Sequence, residues 1–210
     1  ANLAGFTNGL VAYYPFNGND NDASGHDHNV TSYGATPTSD RRGKASWARS
    51  FNGAGYLKST ARIATLENTS HTVSAWVKSY STINSGIAGY TSDQTSQQGK
   101  SGYQLKVEAT GQKFAMLQGR KTAGGSWEYA DANTSQAGDG KWHHLVGVRR
   151  SGVTYLYVDG VQQAGTTNLE PAFDSFCKIY IGSDGVNHFT GKIDDVRIYN
   201  RALSTAEIDL

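Results

Sequence analysis

The 210-residue sequence has one cysteine, one methionine and three prolines. A single cysteine, Cys177, excludes an intrachain disulfide. Its neighbours Phe176, Lys178 and Ile179 read as the start of a strand, so it is expected to be a buried, inert thiol. Nothing beside it would lower its pKa as a catalytic thiol requires. No apolar run approaches the roughly 20 residues that span a bilayer as a helix. Neither charge sign dominates: 19 Lys and Arg against 18 Asp and Glu leave +1. That removes the electrostatic footprint of a nucleic-acid or anionic-membrane binder. No signal peptide is visible, and such segments are removed on export. Helical signals are scarce. Ser204, three residues before Glu207, forms a capping box for one short terminal helix.

What is present is glycine (25) and tyrosine (12), a composition of strands joined by tight turns. The length suits one large β domain with a sizeable core. Val73, Ala75 and Val77 alternate with Ser74, Trp76 and Lys78. Tyr103, Leu105 and Val107 alternate with Gln104, Lys106 and Glu108, and 103–120 reads as a hairpin about Thr110-Gly111-Gln112. Residues 144–148 and 154–158 flank a turn at Arg150-Ser151-Gly152, and Asp159-Gly160 is a strong hairpin signal. Further strands are expected at 10–16, 46–51, 55–59, 178–182 and 191–199. Such a run of short strands fits a sandwich or barrel. The loops 17–46, 79–102 and 119–141 are long and polar, where binding tends to sit. Asn-x-Ser/Thr triplets at Asn29, Asn68 and Asn133 carry no weight alone, since so short a motif arises by chance.

Four segments carry a family likeness. They are Gly9–Gly18 with Asp22-Ala23-Ser24-Gly25; Ser50–Gly53 followed by Val73–Val77; Gly140–Val146 leading to Tyr157–Gly160; and Gly191–Ser204. In this order, over nearly the whole chain, they resemble the bacterial laminin-G-like jelly-roll domains of the concanavalin-A-like group. The resemblance implies an all-β sandwich of two antiparallel sheets. It also implies an appendage on a secreted or cell-surface polysaccharide-degrading enzyme or adhesin. The closing Leu203–Ile208 matches a typical domain end, so 1–210 is expected to be one domain of a longer protein.

Asp20-Asn21-Asp22-Ala23-Ser24-Gly25 sets oxygen side chains at alternate positions with Gly at the sixth, like the first half of a calcium loop. The twelfth position is Thr31, not Glu, so an outside carboxylate would have to complete the shell. By the resemblance the last strand runs beside the first, which makes Asp194 or Asp195 that carboxylate. A structural Ca²⁺ is expected on Asp22 and Asp194, with Asp20 and the carbonyls of Ser24 or Gly25 as weaker ligands. The alternative is a solvated turn with Asp22 as an Asx-turn former. His26 and His28 form an H-x-H pair without a third nitrogen or thiol nearby. His143 and His144 are expected to be structural.

A glycosidase needs two carboxyl groups flanking the bond. The Glu-x-Asp-x-x-Glu pattern of jelly-roll glucanases is absent, and the five glutamates (67, 108, 128, 170, 207) lack such spacing. Adjacent Asp194 and Asp195 on a strand point to opposite faces and are not expected to act as a pair. Nor is there a Gly-x-Ser-x-Gly elbow or phosphate loop. The expectation is a non-enzyme, with hydrolase or lyase as a minor alternative.

A sugar presents flat apolar faces rimmed by hydroxyls, so its site wants an exposed aromatic ring and planar hydrogen-bonding groups. Trp76, Trp142, Tyr13, Phe16, Phe51 and Tyr199 lie in framework motifs and are expected in the core. Outside them, Trp127 is the expected stacking platform, with Arg120 and Gln118 as hydrogen-bonding partners. Tyr129, Tyr90, Tyr103 and His188 complete the carbohydrate-binding set. Trp47, after the basic Arg41-Arg42-Gly43-Lys44, is a second platform that would favour an acidic polysaccharide. The expected function is a non-catalytic carbohydrate-binding module that targets an attached enzyme or adhesin to a polysaccharide or oligosaccharide. The rivals are a protein-interaction or adhesion domain and a spacer without ligand.

Overall fold

The computed structural model describes residues 4–92, 101–119, 128–131, 137–167 and 172–208. Among them the strands form two antiparallel sheets. The first, of eight strands, runs β13 (Val161–Thr167), β12 (Val153–Val158), β11 (Trp142–Arg150), β6 (His71–Ser79), β15 (Thr190–Tyr199), β4 (Ala48–Asn52) and β3 (Thr36–Thr38). Its eighth strand, β1 (Leu10–Tyr14), also pairs with β15. The second, of seven, runs β10 (Glu128–Asp131), β9 (Lys113–Gln118), β8 (Gly102–Glu108), β7 (Ser85–Ser92), β14 (Cys177–Ile181), β5 (Tyr56–Ser59) and β2 (Val30–Tyr33). The numbers follow chain order: hairpins such as β11-β12-β13 and β7-β8-β9-β10 alternate with pairings of strands distant in sequence, β6 with β15, β15 with β4, β7 with β14 and β14 with β5, as in a jelly roll. Short helices stand near the ends, α1 (Ala4–Thr7) and α2 (Thr205–Ile208). Among the described residues no helix is long and apolar enough to cross a membrane.

The local chemistry explains the elements. Asp159 and Gly160 have φ of +52° and +78°, the backbone a two-residue hairpin turn demands. Ser204 N–H donates to Glu207 Oε2 at 2.8 Å, closing the capping box on α2. Alternation delivers the core: Val73, Ala75 and Val77 from β6 face Leu105 and Val107 from β8 and Ile179 and Ile181 from β14, all fully buried. Each such Val, Leu or Ile side chain stabilises the fold by about 1.5–3 kcal/mol. At Gly147 the sheets approach closely, since Met116 occupies the space a Cβ there would need. A smaller cluster of Val146, Val148, Tyr157, Tyr199, Leu203 and Ile208 lies on the outer side of the eight-stranded sheet, beneath α2.

Phe16, Phe51 and Tyr199 are buried as expected. Cys177 is buried too, and that burial pushes its thiol up to about 12. Trp76 and Trp142 are only half-buried. They alternate with core residues Ala75, Val77 and Leu145 and so point outward. The framework motif fixes the strand, and the pleat puts its tryptophans on the solvent side.

Candidate functional site

The register of the seven-stranded sheet decides what faces away from the core. In β14, Ile179 and Ile181 enter the core, so Tyr180 faces out. Tyr180 pairs with Lys58 of β5 and Gly89 of β7, Gly89 with Gln104 of β8, and Gln104 with Leu117 of β9. Directly paired residues share a face, so these make one row across the outer side. Tyr56 stands two residues from Lys58, on the same face, and pairs with Tyr33 of β2.

His188 joins this row from the loop after β14. The loop is held by the Asp184 carboxylate, which accepts the N–H groups of Val186 (3.0 Å) and Asn187 (2.6 Å). The His188 ring lies 5.3 Å from Tyr56 at 14°, and Tyr56 lies 4.9 Å from Tyr33 at 17°. Tyr180 is 6.1 Å from Tyr56, and Lys58 Nζ is 5.1 Å from the Tyr180 ring. Tyr33 ends the stack and is 50% exposed. His188 Nδ1, within the stack, is buried and has no hydrogen-bond partner among the described residues. The face thus combines an open ring, a cation and an imidazole, the chemistry that holds a polyhydroxy ligand.

The structure brings His188 to this face and corrects two neighbours. Tyr90 and Tyr103 are fully buried. Tyr103 stacks on His71 at 3.6 Å, and both tyrosines pack against Phe173. Tyr90 OH accepts Ile63 N–H at 3.1 Å and donates to Glu67 at 3.0 Å. These are core and anchoring groups, not stacking platforms. The alternation of β8 sends Tyr103 inward with Leu105 and leaves the outer face to Gln104 and Lys106. Gln118 is the last residue of β9, paired with Tyr103 and Glu128, and Tyr129 of β10 pairs with Leu117. Arg120 and Trp127 lie outside the described residues.

The acidic groups expected to hold calcium are committed elsewhere. Asp22 accepts Tyr13 N–H (2.8 Å) and Ser24 N–H (2.9 Å) on Oδ1, and His28 N–H (3.0 Å) on Oδ2. It is the Asx-turn former that ties the loop to β1. Ser24 Oγ donates to Val11 O at 3.0 Å, and exposed Gly25 supplies φ +91° to the turn. Asp20 pairs with Arg49 at 2.5 Å, and Asp194 with Arg41 at 2.9 Å. Among the described residues no three His, Cys, Asp or Glu side chains are grouped to hold a metal ion. Guanidinium and backbone N–H groups thus engage the carboxylates of Asp20, Asp22 and Asp194.

On the outer side of the eight-stranded sheet, adjacent Asp194 and Asp195 do meet. The strand bulges between Asp194 and Arg197, and Asp195 has φ +50°. An inserted residue of this kind breaks the alternation. Arg41 Nη1 donates to both carboxylates, and its guanidinium lies 4.6 Å from the Trp76 ring, whose other neighbour is His144 at 5.2 Å. Asp195 also accepts Tyr13 OH at 2.7 Å. Asp194 is raised to about 7, chiefly by burial and then by Asp195, and is 2% exposed. Arg197, Tyr13 and Arg41 hold Asp195 below the usual range against its own burial. Arg41 covers the pair, leaving Asp194 buried and Asp195 partly exposed. Trp47 is likewise capped, with Lys44 Nζ 3.0 Å from its ring. His143 bridges Asp159 (2.7 Å) and Asp139 (3.2 Å), the structural role expected of it.

Sequence reasoning missed Tyr33, Tyr56 and Lys58. Alternation about Leu57 in the expected strand 55–59 already set Tyr56 and Lys58 on one face. Tyr33 fell in a segment read as loop.

The model of the concanavalin A-like lectin/glucanases superfamily matches residues 51–209. The chain belongs to this superfamily. Its lectin-like fold recurs in domain 4 of AbnA, a GH43 extracellular arabinanase from Geobacillus stearothermophilus, solved with arabinotriose. The TM-score is 0.71 at 20% identity, over 95% of this chain and 96% of that one. A botulinum neurotoxin type C structure, described as dependent on two ganglioside molecules for cell entry, gives 0.74 at 12%, over 99% and 51%. The binding domain of botulinum neurotoxin DC with rat synaptotagmin II gives 0.71 at 14%, over 97% and 51%. The chain spans about half the length of these toxin domains. At such identities the likeness is one of fold. Comparison with curated proteins gives no match.

Proposed function

We propose that this superfamily member is a non-catalytic carbohydrate-binding module. On this reading the outer face of its seven-stranded sheet holds a polysaccharide and keeps an attached extracellular enzyme or adhesin beside it. The observation that carries the reading is the Tyr33–Tyr56–His188 stack, which ends in a half-exposed ring with Lys58 on the same face. The ligands named for structurally similar domains, arabinotriose and gangliosides, are of the same chemical class and support it. Trp127, Arg120, Gln118 and Tyr129 are proposed to extend the site, Trp127 as a second stacking ring.

The test is a glycan array with wild type, Tyr33→Ala and Trp127→Ala. Binding to a defined glycan that weakens in Tyr33→Ala supports the outer face. A folded wild type that binds no glycan overturns the reading and turns it to protein recognition, the mode of the toxin domain solved with synaptotagmin II.

A further inference from the structure

A concave feature lies away from the aromatic stack. A cleft of about 410 Å³ opens between the start of β1, the loop carrying His26 and His28, and the turn at 62–65. Small-molecule sites span about 300–1,000 Å³. The floor is apolar, with Val11 and Ile63 only 5% and 4% exposed. The rim carries four planar polar groups: the imidazoles of His26 and His28, the Arg62 guanidinium and the Asn200 amide. The two imidazoles run 24° from parallel, with centroids 6.1 Å apart.

Each wall is fixed by its own bonds. Ala23 N–H donates to Tyr13 O at 2.8 Å, and Ser24 Oγ to Val11 O at 3.0 Å, folding the histidine loop onto β1. Ile63 N–H donates to the buried Tyr90 hydroxyl, which pins the third wall to the core. Asn200 N–H donates to Gly9 O at 2.9 Å. A cleft held this way binds without first being ordered, which removes one of the main costs of association.

Its charge is compensated in place. Arg62 gives Nε and Nη2 to the Glu67 carboxylate, each at 2.5 Å. His28 is held below the ordinary imidazole range by burial, with His26 acting in the same direction and Asp22 against it, so it is neutral at pH 7. An anion gains little from such a site. A neutral sugar ring gains on both counts, setting its apolar face on Val11 and Ile63 and its hydroxyls against planar donors and acceptors.

We propose that this cleft is a second saccharide site, which takes one neutral sugar ring of a glycan independently of the outer sheet face. The probes are arabinotriose, cellotriose and maltotriose, with sialyllactose as the anionic control, followed by amide NMR shifts in the full chain. A neutral probe should shift His26, His28 and Thr65 in wild type and equally in Tyr33→Ala. Thr65→Trp, which fills the cleft from an exposed rim position, should abolish those shifts. His26→Ala, at an exposed side chain, should weaken binding about tenfold, the order expected for one hydrogen bond and its ring contact. If Thr65→Trp does not fold, the His26→Ala titration decides. Shifts confined to Tyr33 and His188, cleft shifts with sialyllactose alone, or no cleft shift with any probe would each overturn the proposal. Loss of outer-face binding in Tyr33→Ala with the cleft shifts intact separates the two sites.

Discussion

Asp194 and Asp195 are neighbours in one strand, yet both accept a hydrogen bond from the same nitrogen, Arg41 Nη1, at 2.9 and 2.8 Å. The bulge at Asp195 makes this possible by turning the second carboxylate back toward the first. Crowding and burial then raise Asp194 to about 7, while Asp195 stays low. Across Trp76, burial and the two arginines lower His144 to about 4.

These two groups make stability depend on pH in opposite directions. The folded Asp194 holds its proton above its ordinary 3.8, so its contribution weakens as pH rises from about 4 to about 7. His144 refuses a proton below its ordinary 6.5, so its contribution weakens as pH falls from about 6.5 to about 4. Thermal melts between pH 4 and 7 should therefore show stability falling with pH in His144→Gln and rising with pH in Asp194→Asn. Identical slopes in both variants would show that neither group is shifted as described.

Loss of the Tyr33 ring removes the exposed end of the stack. Stacking of a flat ligand on one aromatic ring contributes about 1–3 kcal/mol by analogy with base stacking. Tyr33→Ala should thus weaken glycan binding roughly ten- to a hundredfold in titration calorimetry with the melting temperature nearly unchanged. Equal affinity in the variant would remove the ring from the site.

Tyr103 should behave in the opposite way. Truncating a fully buried aromatic ring costs about 3–5 kcal/mol. Urea unfolding of Tyr103→Ala should show a loss of that size, and a loss under about 1 kcal/mol would contradict its place in the core. Any fall in glycan binding should track the fraction unfolded.

Asp22 takes three backbone N–H groups, and removing their acceptor leaves partly buried donors unpaired. Asp22→Ala should cost at least about 2 kcal/mol, equally in calcium and in EDTA, and wild type should melt at the same temperature in both. A melting temperature raised by calcium and lost in Asp22→Ala would restore the metal site.

Alternation and turn chemistry made most of this fold legible in the sequence. Val73, Ala75 and Val77 announced an inward face, and Asp159-Gly160 announced its hairpin. The resemblance then supplied the pairing of β1 with β15, which no local pattern can reveal. The site was less legible, because identity alone does not say which face a tyrosine takes. Tyr90 and Tyr103 border a long polar loop exactly as binding residues would, yet their register with Leu105 sends them inside. The Asp194–Asp195 pair was hidden for a related reason. Strict alternation separates them, and only a backbone excursion to positive φ reunites them. The spacing of Asp20 and Asp22 did not disclose their protein partners, Arg49 for one and three backbone N–H groups for the other.

The pairing of the first and last strands has a mechanical consequence. Leu10 stands opposite Tyr199, and Asn200 N–H reaches Gly9 O, so the chain enters and leaves at the same end of one antiparallel pair. Tension applied through the two flanks would peel β1 from β15 one rung at a time. Tension between a bound glycan and a single flank would bypass that seam, so the direction of pull, as much as its size, would govern how long the domain survives under flow.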